Sequence, residues 1–126
     1  MYKRAMVEIV KKRLREKRRF IQVILGPRQV GKTTAIQQII KAGSLPFHYA
    51  AADLPAPPDT QWIAGQWELA RMKAGKAGPV ILALDEIQKV AHWSSEVKRL
   101  WDEDGRAGNN IHVVLLARRP FSFKKV

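Results

Sequence analysis

FIQVILGPRQVGKTT, residues 20–34, joins a β-branched apolar run to a glycine-containing loop and then to the start of a helix-forming stretch. FIQVIL, residues 20–25, reads as a strand bounded by glycine. The loop that follows satisfies G-x-x-x-x-G-K-[ST] with Gly26, Gly31, Lys32 and Thr33. Its glycines let the backbone curl so that successive N–H groups point inward at a phosphate. Lys32 adds a cation for the β- and γ-phosphates, and the Thr33 hydroxyl is a hard oxygen suited to Mg²⁺. TTAIQQIIKAG, residues 33–43, reads as a helix ending at Gly43, with its positive N-terminus aimed at the same anion. The expected nucleotide-binding residues are Gly26, Pro27, Arg28, Gln29, Val30, Gly31, Lys32, Thr33 and Thr34. Within the loop, Arg28 and Gln29 fit a solvated position as well as a contact. At average residue frequencies the pattern arises by chance in well under roughly 1% of chains this short, and here the required strand and helix flank it.

Outward from this loop, strands and helices alternate. FHYAA, residues 47–51, reads as a short second strand, and LPAPPD, residues 54–59, as a loop because its prolines remove donors. Ile63, Trp67 and Ala70 share one face of a helix over residues 60–73. VILAL, residues 80–84, is a continuous apolar run of the kind buried on both faces of a parallel sheet. Trp93, Val97, Leu100 and Trp101 mark another helix, and NNIHVVLLA, residues 109–117, a fourth strand. Such alternation implies parallel βαβ units, whose ligands lie beyond the carboxyl ends of the strands.

That rule directs attention to Asp85 and Glu86, immediately after the third apolar run. Adjacent carboxylates at the end of a hydrophobic strand are costly unless cations or hydrogen bonds meet them. Asp85 suits an outer ligand of Mg²⁺, beside Thr33, and Glu86 suits a general base that orients or deprotonates an attacking water. A carboxylate aimed at water points to ATP hydrolysis rather than phosphoryl transfer to a small acceptor. Elsewhere, His48, His92 and His112 lack metal-ligand spacing. Trp62, Trp67, Trp93 and Trp101 fit core or interface positions, and Asp53 fits a turn or an approach to the site.

Length and composition bound these readings. A chain of 126 residues, 46% apolar and 27% charged, is one globular domain by its length and balance. No apolar run approaches the 20 or so residues of a membrane span. With no cysteine there is neither a disulfide framework nor a thiolate metal site, and the expectation is a soluble, cytoplasmic protein with no membrane partner. The formal charge is +12. Residues 1–19 hold nine Lys or Arg against Glu8 and Glu16, a local net of +7, on an amphipathic helix expected over residues 4–18. This run reads equally as a solvated face and as a nucleic-acid contact. A basic nucleic-acid-binding module is therefore the alternative function, and a nonfunctional remnant a second one.

The strings RRFIQVILGPRQVGKTT (18–34), QWELARMKAG (66–75), LALDEIQKVAHWSSEVKRLWDED (82–104) and NNIHVVLL (109–116) resemble a family of bacterial and archaeal AAA-type ATPases, whose members commonly carry a further C-terminal domain. The resemblance covers residues 1 to about 116. It implies a Walker A loop over residues 26–34 and a Walker B pair at Asp85 and Glu86, with ATP and Mg²⁺ as cofactors. The implied fold is an α/β P-loop NTPase of the AAA/ASCE type, a parallel sheet with flanking helices. Homo-oligomers are common among relatives, and no residue here decides that state.

After Leu116 the family continues with a small polar segment resembling TGSSALLLQKG, whereas this chain reads LARRPFSFKKV, residues 116–126. Shifting the codon frame at Leu116 allows GSSALLLQKG throughout. The expectation is a frameshifted and truncated AAA core, with about four strands and with the fifth strand and helical lid missing. The expected divisions are a basic helix over 1–19, an ATPase core over 20–116 and an aberrant tail over 117–126. Setting aside Arg118, Arg119, Lys124 and Lys125 lowers the charge to +8 and weakens the nucleic-acid reading. AAA-type sheets run in the order 5-1-4-3-2, so loss of the fifth strand would leave the first strand as an edge and impair hydrolysis more than binding.

Overall fold

A computed structural model describes residues 21–26, 38, 45–74 and 79–118. The basic helix expected over 4–18, most of the helix over 33–43 and the tail from residue 119 lie outside the described residues. Four strands form one parallel sheet: β1 (Gln22–Gly26), β2 (Phe47–Ala51), β3 (Val80–Asp85) and β4 (Ile111–Arg118). Their order across the sheet is β1-β4-β3-β2, the 1-4-3-2 part of the order expected for an AAA-type sheet. The two continuous apolar runs thus occupy the interior positions, where both faces are covered. β1 covers residues 22–26 rather than 20–25, and β2 matches the expected 47–51.

Alternation along the strands divides the apolar residues between two layers. Val80, Leu82 and Leu84 of β3 join Ile111, Val113 and Leu115 of β4 on one face. Helices α1 (Thr60–Ala74) and α2 (Trp93–Ala107) cover that face through Ile63, Trp67, Ala70, Val97 and Leu100. On the other face, Ile24, Ile81, Ala83, Val114 and Leu116 form a second cluster with Leu45 and Tyr49 packed against it. The helix face read from Ile63, Trp67 and Ala70 is buried as that spacing predicts. Trp67 is fully buried, whereas Trp62, Trp93 and Trp101 pack partly buried against the same core.

Local chemistry sets the helix ends. Asp59 accepts the Gln61 N–H at 3.0 Å, satisfying one of the donors exposed at the start of α1. Gly108 ends α2 at φ +78°, a left-handed conformation that glycine adopts without strain, and its N–H donates to the Asp104 carbonyl. No described helix is long and apolar enough to cross a membrane.

A buried carboxylate locks the helices together. Asp104 is inaccessible to solvent. It accepts the Trp67 indole N–H at 2.7 Å, the Arg71 Nε–H at 2.8 Å and the Asn109 amide at 2.9 Å. Arg71 also reaches Glu103 and the Leu100 carbonyl, so α1 is tied to α2 by a network spanning both helices. Removing one member of such a network leaves desolvated donors behind, including a buried indole N–H. Asp104→Ala is accordingly expected to destabilise the fold by about 3 kcal/mol, read from the midpoint of urea unfolding. A loss below about 1 kcal/mol would show that the network is not a structural lock.

Candidate functional site

The sheet brings the two sequence signals to the same rim. Gly26 is the last residue of β1 and pairs with Arg118 of β4, while Asp85 is the last residue of β3. β4 lies between β1 and β3, so the two strands are about 9–10 Å apart across the sheet, and Gly26 stands two residues further along than Asp85 in the register. Of the expected phosphate-loop residues, Gly26 falls within β1. Pro27, Arg28, Gln29, Val30, Gly31, Lys32, Thr33 and Thr34 lie outside the described residues.

Asp85 is buried, with 4% of its surface exposed. Its Oδ2 accepts the Tyr49 hydroxyl at 2.6 Å, and its Oδ1 accepts the Glu86 backbone N–H at 2.8 Å. Bonds to a carboxylate are short and roughly twice as strong as those between neutral groups. The side chain is therefore held in one orientation at the strand end. Hard carboxylate oxygens suit Mg²⁺, which takes one or two protein carboxylates alongside substrate phosphates rather than an all-protein cage. Asp85 meets that requirement in kind. Among the described residues, no group of three or more His, Asp or Glu side chains gathers as a metal cage.

Glu86 departs from the strand. Its backbone sits at φ 55°, ψ 38°, in the left-handed region, and opens a short 3₁₀ turn at Ile87–Lys89. The Glu86 carbonyl accepts the Lys89 N–H at 3.0 Å, and Ile87 returns to the helical-side core, fully buried. The partly exposed Glu86 carboxylate accepts the Gln88 amide at 2.7 Å. The two adjacent acids thus stand in different environments, Asp85 inside the sheet and Glu86 on the turn beyond it.

The second strand supplies a neighbouring element of the rim. The Ala52 N–H donates to the Asp85 carbonyl at 3.0 Å, carrying the parallel pairing one residue past β2. Asp53 follows and forms an ion pair with Lys89 of the 3₁₀ turn. His48 lies farther down β2 and bonds Gln66 of α1 at 2.6 Å. Sequence reading missed the contacts of Tyr49 and Lys89, because each joins segments 36 residues apart, and that of Gln88, because it depends on the turn opened by Glu86. The signal present was an aromatic hydroxyl two positions before the end of β2.

A family model described as an AAA domain matches residues 18–122, a span that takes in the phosphate-loop motif, Asp85 and Glu86. No curated protein gives a significant match.

A left-handed conformation costs a non-glycine residue roughly 1–2 kcal/mol, and such strain gathers at functional positions. Glu86→Gly is expected to relieve it and to raise stability by about 0.5–1 kcal/mol in urea unfolding, after allowance for the lost Gln88 bond and the added chain entropy. A loss of stability would mean that the Glu86 side chain contributes more to the fold than its backbone costs.

Proposed function

The chain belongs to the AAA-domain family, and from that premise we propose that it binds ATP with Mg²⁺ at the rim formed by the carboxyl ends of β1 and β3, with hydrolysis at the same site expected of the full-length form. One observation carries this reading. Asp85 ends β3 as an oriented carboxylate, one strand removed from the point where β1 opens into G-x-x-x-x-G-K-[ST]. A phosphate loop and an ordered carboxylate at that separation are the two halves of a nucleotide–metal site.

In this reading the backbone N–H groups of residues 26–34 cradle the phosphates, and Lys32 lies against the β- and γ-phosphates. Thr33 and Asp85 hold the metal, whose charge offsets that developing on the transferred phosphoryl group. Glu86 accepts a proton from the attacking water or orients it, which its place on the turn beyond the strand allows. Gln88, donating to Glu86, restricts the rotamers of that carboxylate.

Lys32→Ala is expected to abolish ATP binding in a filter or fluorescence assay, and undiminished binding would remove the site from residues 26–34. Glu86→Gln separates binding from chemistry. It keeps nucleotide affinity close to that of the parent chain while any ATPase turnover falls by about 10²-fold or more. Loss of affinity on this change would place Glu86 in binding instead.

A further inference from the structure

The parallel register of β2 and β3 creates a four-residue patch on the face of the sheet that carries Asp85. Tyr49 pairs with Ala83, and Ala51 pairs with Asp85. Tyr49 and Asp85 therefore occupy one diagonal of the patch and the two alanines the other. Two residues of strand rise combined with one strand spacing put the diagonal at about 8 Å, a distance an aromatic side chain can bridge only if nothing bulky stands between. Alanine at 83 and 51 leaves the diagonal open, and the Tyr49 hydroxyl reaches Asp85 Oδ2 at 2.6 Å.

The ring itself is anchored. Tyr49 packs against the second apolar cluster, beside Ile81 and Ala83, and is partly buried. Its hydroxyl is thus carried on a two-torsion side chain with a fixed base. The Glu86 N–H holds the other oxygen of the same carboxylate from within β3's own chain. Donors on both oxygens fix the plane of the Asp85 carboxylate, one supplied locally and one from the neighbouring strand.

Resting on the nucleotide–metal reading above, we infer that Tyr49 is a positioning residue for the magnesium site. Its hydroxyl aligns Asp85 so that the carboxylate meets the metal without first losing rotational freedom. Groups that orient a metal-binding side chain typically contribute 10- to 100-fold to metal affinity. β2, which contributes no ligand of its own in this reading, thereby becomes part of the metal site. In this reading Tyr49 acts through Asp85, so its effect appears in the requirement for Mg²⁺ rather than in the affinity for bare nucleotide.

The experiment is a Mg²⁺ titration of the binding of a fluorescent N-methylanthraniloyl-ATP to the full chain, paired with the same binding in excess chelator. Tyr49→Phe removes one oxygen and keeps the ring. It is expected to raise the Mg²⁺ concentration for half-maximal response by about 10-fold, with affinity in chelator unchanged. Tyr49→Met, a flexible apolar replacement, should give the same displacement, so that a folding defect peculiar to one variant does not decide the result. Asp85→Asn serves as reference and should raise the requirement at least as far. If Asp85→Asn raises it while both Tyr49 variants stay within twofold of the parent, the positioning role is overturned and the nucleotide–metal site stands. If Asp85→Asn leaves it unchanged, Asp85 is not a ligand and both readings fall. Equal loss of affinity with and without Mg²⁺ in both Tyr49 variants would show a purely structural contact and overturn the inference as well.

Discussion

A carboxylate taken out of water must be met by donors or cations, or the fold that buries it is not stable. Among the described residues that constraint is met at Asp104 and at Asp85, and much of the organisation follows from how each is satisfied. The Asp104 carboxylate is met by donors from two segments, Trp67 and Arg71 on α1 and the Asn109 side chain in the loop beyond α2. That arrangement fixes the packing of α1 against α2 and positions the connection into β4. Asp85 sits instead at the end of a strand, held by the Tyr49 hydroxyl and the Glu86 N–H. The first carboxylate fastens the layer of helices; the second stands where parallel sheets present residues to ligands.

The sheet order makes the second placement possible. With β4 and β3 at the centre, the most apolar runs are buried from both sides, and the chain ends of β1 and β3 emerge on one rim with a single strand between them. Parallel pairing gives all four strands the same polarity, so every carboxyl end contributes to that rim. β2 extends it through the Ala52 bond to the Asp85 carbonyl and the Asp53–Lys89 ion pair. An antiparallel strand at β2 would send that connection to the opposite edge and leave Asp85 without the Tyr49 diagonal.

The parts legible in the sequence were those governed by local periodicity. Alternation and apolar runs located β2, β3 and β4, and the spacing of Ile63, Trp67 and Ala70 gave α1 its buried face. β1 extends to Gly26, because a glycine backbone pairs as well as any other once β4 lies alongside. Asp85 and Glu86 were legible as a pair at a strand end, but their division into a buried side chain and a left-handed turn was not. The Asp104 network was overlooked although a signal existed: Val97, Leu100 and Asp104 fall on one helical face, and a charged residue within an apolar stripe implies a partner in the core. Tyr49 offered only its hydroxyl near the end of β2, since a bond between residues 36 apart in the chain leaves no local pattern.

The split between Asp85 and Glu86 has a geometric cause. Were the strand to continue, alternation would carry the Glu86 side chain to the face packed by α1 and α2, where a carboxylate would displace apolar contacts. The left-handed residue ends the strand there and reverses the chain. Ile87 then fills the core position on the helical side, and Glu86 stays partly exposed at the rim. Backbone strain at one residue thus keeps two like charges apart, leaves the apolar layer intact and holds both acids near the end of β3. The bonds from Gln88 to Glu86 and from Lys89 to Asp53 follow from that reversal, because the 3₁₀ turn it opens brings residues 88 and 89 back over the strand ends.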